Sequence, residues 1–193
     1  TTWGALDHDI SRSFREYYHG AFEADDTKLE KKNTHRLGNV FIPAENHGPV
    51  IEKTVQDLLK EIYKDNKELA TYELCWEIGK KLNESSFLYW ANKNKIPVIV
   101  PGITDGAVGY QLWQFSQLHP DFRINVLKDE QLLSDVVWAA KKDNKKTAAL
   151  CIGGGISKHH TIWWNQFKDG LDYAVYVTTA RENDGSLSGA ETR

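Results

Sequence analysis

The segment AALCIGGGISKHH, residues 148–160, constrains this chain more than any other stretch. An apolar run that reads as a buried strand stops in three glycines and then delivers Lys158, His159 and His160. Glycines at a strand's carboxyl end let a phosphate or a cofactor approach the backbone closely. Lysine and histidine side chains can form an imine with a carbonyl and shuttle its proton. Together they point to a nucleotide cofactor site with amine chemistry beside it. The same residues also fit a tight glycine turn followed by a solvated basic tripeptide, because GGG lacks the full GxGxxG spacing.

The rest of the chain alternates two periodicities. Ile51, Val55, Leu58, Leu59 and Ile62 fall on one helical face over residues 51–62, with Pro49 ahead as a start signal. Leu74, Ile78 and Leu82 mark a second helix, and residues 87–91 open a third. IPVIVPG, residues 96–102, reads as a fully buried strand ended by Pro and Gly. Leu132, Leu133, Val136, Val137 and Ala140 mark another helix before the charged turn KKDNKK. AALCI follows as a strand, an aromatic helix spans about 161–168, and DYAVYV, residues 172–177, is again a strand. This order predicts an α/β fold with a mainly parallel sheet and helices on both faces. Ligands of such sheets bind beyond the strands' carboxyl ends. Those ends carry Thr104-Asp105-Gly106, Gly153-Gly154-Gly155 and Thr178-Thr179-Ala180, all small, polar or acidic. No repeat or low-complexity linker interrupts the chain, so residues 1–193 are expected to form a single domain.

Composition narrows the partners. A net charge of −3 leaves no basic footprint, so nucleic acid is not an expected partner. No apolar run reaches the length of a membrane span, and the start does not resemble a signal peptide. Cys75 in a helical pattern and Cys151 in a strand pattern read as buried thiols in a reducing cytosol, so a cytoplasmic location is expected. The chain starts at Thr1, contains no methionine and stops in a polar stretch, which reads as part of a longer polypeptide.

Individual residues add chemistry. Asp105 could accept hydrogen bonds from a ribose, or simply form an Asp-Gly turn. Asp7, His8 and Asp9 are too closely spaced to ligate one ion, so no metal is expected; with Ile10 and Phe14 behind them they read as a helix start. Trp113, Phe115, Trp163 and Trp164 offer aromatic walls for a ring or a cationic amine, or ordinary packing. DGSLSG, residues 184–189, is a polar loop placed where a substrate should pass.

Five ordered blocks carry a wider resemblance: TTWGALDHD at 1–9, RLGNVFIPAENHG at 36–48, YWANKNKIPVIVPGITDG at 89–106, GGGISKHH at 153–160 and DYAVYVTTARENDGSLSGA at 172–190. In these the chain resembles the deoxyhypusine synthase family. The resemblance implies a Rossmann-like fold and an NAD-dependent transferase, usually a homotetramer with shared active sites. Such an enzyme passes the aminobutyl group of spermidine through a lysine imine to a lysine of the translation factor 5A precursor. By position, the resemblance implies NAD contacts at Thr2, Trp3, Gly4, Asp105, Gly154, Thr179 and Ala180. It places Asp7, His8, Gly185, Ser186 and Leu187 at the amine, and His159 beside the reacting lysine. That lysine belongs to a Trp-Gly-Lys segment after SGA, so Lys158 becomes a minor candidate. His8 replaces a glutamate of many members, Tyr110 a carboxylate and Trp163 an asparagine, which weakens the anchoring of a polyamine's charged ends. A homospermidine-type synthase with a small amine acceptor, or an inactive NAD-binding paralogue, would share these features.

Overall fold

The apolar face read over residues 51–62 is the spine of a helical unit in the computed structural model, which describes residues 1–181 and 188–189. The chain divides into two compact units. One comprises Thr1, Trp3–Ile99 and Ile103–Ile124; the other comprises Thr2, Val100–Gly102 and the residues from Asn125 onward. The first contains α1 (Trp3–Phe14), β1 (Tyr18–His19), α2 (Asp26–Glu30), β2 (Thr34–Leu37), β3 (Val40–Pro43), α3 (Gly48–Ile62), β4 (Glu68–Leu69), α4 (Thr71–Gly79), α5 (Phe87–Lys93), α6 (Ala107–Leu118) and β5 (Arg123–Ile124). The second contains α7 (Leu127–Lys142), β6 (Ala148–Ile152), α8 (Ile156–Asn165) and β7 (Tyr173–Val177).

In the first unit, α1, α3 and α6 pack together. All five predicted α3 residues, Ile51, Val55, Leu58, Leu59 and Ile62, are buried, each burial being worth about 1.5–3 kcal/mol. Leu6 and Ile10 of α1 and Phe115 of α6 join them in the core. The buried Gln111 of α6 does not go unsatisfied, since Gln56 Nε2 of α3 donates to its side-chain oxygen at 2.9 Å and to its carbonyl at 3.1 Å. Two carboxylates of α1 then fix the neighbouring helix starts. Asp7 accepts the backbone amides of Ala107 at 2.8 Å and Val108 at 3.0 Å, at the beginning of α6. Asp9 accepts the Ser86 hydroxyl at 2.6 Å and the Phe87 amide at 3.1 Å, at the beginning of α5. Both satisfy amides that a helix leaves without intrahelical partners, and both place negative charge at the positive end of the helix dipole.

Three small sheets accompany the helices. β1–β3–β2 is antiparallel, with β2 and β3 paired from Thr34↔Pro43 to Leu37↔Val40 around a Gly38-Asn39 turn. Arg36 clamps both carboxylate oxygens of Asp26 outside it, at 2.6 and 2.8 Å. β4 pairs with β5 in parallel, and β6 with β7 in parallel from Ala148↔Tyr173 to Ile152↔Val177. The α/β class is therefore present, but parallel pairing among the described residues is confined to two two-stranded ladders rather than one extensive sheet.

Some elements depart from the sequence reading. IPVIVPG forms no strand: residues 96–100 have no regular secondary structure and 101–104 turn. Pro97 and Pro101 lack the amide hydrogen a ladder needs. Leu82 is buried but lies past the end of α4. β6 occupies the predicted residues, yet it is not buried: Leu150 is 66% and Ile152 80% exposed, and Val175 and Val177 of β7 are more than half exposed. The following helix begins at Ile156, not near Thr161, and a short 3-10 turn at Gln166–Lys168 extends it. Cys75 and Cys151 are both buried, as expected. No helix of the described residues is long and apolar enough to cross a membrane.

The α4–α5 contact supplies a test of packing against propensity. A Cβ at Gly79 would come 2.3 Å from the Leu88 carbonyl oxygen and 2.9 Å from its carbon, both backbone atoms that cannot swing aside. Alanine gains about 1 kcal/mol of helix propensity over glycine, but an overlap of this kind costs about 1–3 kcal/mol or more. Gly79→Ala is expected to lower the denaturant midpoint; a raised midpoint would show that α4 and α5 do not pack this closely.

Candidate functional site

The glycine turn of the second unit runs from β6 straight into α8. The Gly153 amide donates to the Val177 carbonyl at 2.8 Å and prolongs the parallel ladder by one bond. Gly153 (φ 84°) and Gly155 (φ 71°) take backbone conformations that side chains rarely allow. Gly155 is the N-cap of α8, and no side chain of the described residues caps that helix start. Among the described residues, a Cβ at Gly153 or Gly155 would meet nothing within 4 Å, so there is open space beside both. This turn has the strand, glycines and helix amides with which proteins hold phosphate.

Gly154 faces protein instead. A Cβ there would lie 2.5 Å from Ser188 Cα, so Ser188 packs directly on the turn. Gly189 packs against the Arg181 carbonyl and Ala180 in the same close manner. Ser188–Gly189 thus joins the glycine turn to the loop after β7, where Thr179 is exposed and the Ala180 amide donates to Thr178 Oγ1 at 3.1 Å. Two of the three predicted strand-end loops are adjacent in this unit. Gly185, Ser186 and Leu187 lie outside the described residues.

Lys158 departs from the solvated tripeptide reading, because it is only 4% exposed. Its Nζ donates to the Ser188 carbonyl at 3.4 Å and sits 4.3 Å from the centroid of the Tyr176 ring. The two histidines diverge. His159 is exposed on α8, whereas His160 is turned inward to Glu130 of α7. The Nε2 of His160 lies 3.2 Å from a Glu130 oxygen, an ion-pair distance without the alignment of a hydrogen bond. The other Glu130 oxygen accepts Trp164 Nε1 at 2.9 Å, so Trp164 is a packing residue held against α7, with Trp163 edge to face against it and Phe167 tilted beside it.

The first unit carries the α1 candidates. A Cβ on Gly106 would lie 2.6 Å from the Trp3 ring and 2.9 Å from Asp7 Oδ2, so the Asp105–Gly106 turn rests on both residues. Asp105 itself is exposed, Thr2 is half-buried, and a Cβ on Gly4 would meet nothing within 4 Å. Asp7 is buried with both oxygens engaged by α6, which commits its carboxylate to the fold.

His8 belongs to a cluster that the sequence reading missed. Its Nδ1 lies 3.0 Å from the Tyr17 hydroxyl, and the same hydroxyl lies 3.0 Å from Nδ1 of His47. The two imidazoles stand 4.9 Å apart, tilted by 31°. Burial lowers the pKa of His8 below its ordinary value, opposed by the Asp7 charge and aided by Arg12. Burial also lowers His47, with the neighbouring His8 adding to the effect, while burial raises Tyr17. Tyr17 further lines an open groove of about 1030 Å³ with Arg12, Arg15, Glu16, Glu45 and Asn46. Tyr17 and His47 are 30 residues apart, and no local spacing announces their meeting.

Both histidines bind protons less readily in the folded chain than in the unfolded one. The unfolded state therefore takes up more protons as pH falls through about 6.5, and folding stability decreases with it. Equilibrium unfolding between pH 8 and 5 should show this acid-side loss, and His47→Gln should flatten it. An unchanged slope in the variant would place the proton uptake elsewhere.

Comparison with known proteins gives a consistent neighbourhood. The family model for deoxyhypusine synthase matches residues 1–193. A protein of Picrophilus torridus described as a probable deoxyhypusine synthase is 58% identical over 192 residues, covering 99% of this chain and 60% of that one. One from Ignicoccus hospitalis, described in the same words, is 57% identical over 199 residues and is likewise covered over 60% of its length. The chain thus spans about 60% of the length of these curated relatives. A solved structure assigned as a deoxyhypusine synthase from Entamoeba histolytica superposes with a TM-score of 0.66 at 23% identity, over 93% of this chain and 55% of that one, a likeness of fold.

Proposed function

The chain belongs to the deoxyhypusine synthase family, and from that premise we propose that it serves an NAD-dependent transfer of the 4-aminobutyl group of spermidine to a lysine of the translation factor 5A precursor. The observation that carries this reading is the β6–Gly153-Gly154-Gly155–α8 turn, where among the described residues two glycines of positive φ stand beside open space and no side chain caps the helix start. These residues fit the pyrophosphate of a dinucleotide, whose charge the α8 amides and dipole would stabilise. NAD, when bound, supplies the hydride acceptor.

This chain's own residues would hold and orient. Gly154 after β6 and Thr179 and Ala180 after β7 are the proposed contacts of this unit, and Thr2, Trp3, Gly4 and Asp105 are the further cofactor contacts that the family likeness proposes. Exposed on the first turn of α8, His159 is free to exchange protons at a substrate nitrogen. For the amine we propose His8 with Gly185, Ser186 and Leu187, while Asp7 acts through the placement of α6 rather than as a free counter-charge. The imine step is assigned, by family likeness, to a lysine of a Trp-Gly-Lys segment. A Rossmann-like, mainly parallel sheet, one NAD-binding domain over 1–193, a cytoplasmic location and a homotetramer complete the proposal; the β6–α8–β7 crossover between parallel strands supports the first of these.

Calorimetric titration with NAD tests the reading directly. The wild-type protein is expected to bind, and Gly155→Ala, strained at φ 71°, to bind at least about tenfold more weakly, a loss near 1.4 kcal/mol. Spermidine should then produce NADH absorbance in the wild type. Equal NAD affinity in wild type and variant would remove the glycine turn from the cofactor site.

A further inference from the structure

We propose that His8, Tyr17 and His47 form a proton-exchange unit in which Tyr17 and His47 are positioning residues for His8. The proposal rests on the reading of His8 as amine-facing, and its observations are geometric. One hydroxyl stands 3.0 Å from Nδ1 of each ring. A phenol carries a single proton, so it donates to one Nδ1 and accepts from the other. The two neutral rings are therefore forced into opposite tautomers: one bears its hydrogen on Nδ1 and leaves Nε2 bare, and the other bears its hydrogen on Nε2.

This coupling moves a proton without leaving a charge behind. An ammonium group gives its proton to the bare Nε2 of His8. The Nδ1–H bond of His8 breaks as Tyr17 Oη gains that proton, the Tyr17 O–H proton passes to Nδ1 of His47, and the Nε2 proton of His47 leaves to water. One proton enters and one leaves, all three groups end neutral, and no electrons move between them. The result is the mirror tautomer, set to return a proton to the same nitrogen later. Neither ring is fully buried, and Tyr17 lines the groove of about 1030 Å³, so solvent reaches the unit.

The surroundings oppose a second proton on the pair. Imidazoles 4.9 Å apart repel a second charge. Asp7 and Arg12 of α1 act on His8 with opposite sign, and His47 faces Asp7, His8 and His35 of β2. Ser11 and Arg12 bear on Tyr17, and Ser11 Oγ also donates to the Asn46 carbonyl, which anchors the residue next to His47.

Long-range proton–nitrogen correlation on the ¹⁵N-histidine-labelled protein, with no ligand added, tests the coupling itself. The expected spectrum shows His8 and His47 as opposite tautomers near neutral pH, and Tyr17→Phe, which keeps the ring and removes the hydroxyl, lets both take the same tautomer. The same tautomer in both rings of the wild type, or no change in Tyr17→Phe, would overturn the proposal. In turnover, Tyr17→Phe should lower kcat for amine-dependent NADH formation on the order of 10²-fold and shift its pH profile, with KM for the amine near the wild-type value. A wild-type kcat in that variant would also overturn it. Opposite tautomers in a protein that oxidises no amine would support the exchange unit and refute the amine reading instead.

Discussion

Asp7 and Asp9 leave α1 two residues apart, hence about 200° apart around its axis, and each reaches the start of a different helix. Asp7 takes the first amides of α6 and Asp9 those of α5. The arrangement fixes the register of three helices at once, because a carboxylate accepting backbone amides tolerates little sliding. It also positions what lies between the two carboxylates. His8 is held between two tethered neighbours, with its ring turned to Tyr17 and His47.

Periodicity made the helical core legible. The α3 face was readable over 51–62 because five apolar residues recur at helical spacing and all are buried together. β6 and β7 were readable as short β-branched and apolar runs. The antiparallel sheet of residues 18–43 was not, since its strands are only two to four residues long and mix histidines and arginine with apolar residues. α6 also escaped notice, because an exposed Tyr110 and Trp113 blur its apolar stripe. In IPVIVPG the apolar content suggested a strand, while Pro97 and Pro101 decided otherwise.

The candidate site divides in the same way. The glycine turn was legible because a rare local composition, three glycines at a strand end, has a direct backbone meaning. The Tyr17–His47 pairing was not, because it depends on where β1 to β3 and α1 finally sit. Lys158 shows the limit of reading a basic tripeptide as solvated: its stem and ammonium are drawn over the Tyr176 ring and fixed to the Ser188 carbonyl. His159 stays exposed on α8, whereas His160 turns to Glu130.

The bare ladder of β6 and β7 has a thermodynamic corollary. Two parallel strands with Leu150, Ile152, Val175 and Val177 open to water make a marginal support, yet the glycine turn is mounted on its end. An anion held at the turn would stiffen the ladder below it, and an apolar surface laid on the ladder would stiffen the turn above. Two such events would be linked, and each would raise the other's affinity by the same factor. Were both to occur, assembly on that face and occupation of the turn would be two halves of a single equilibrium.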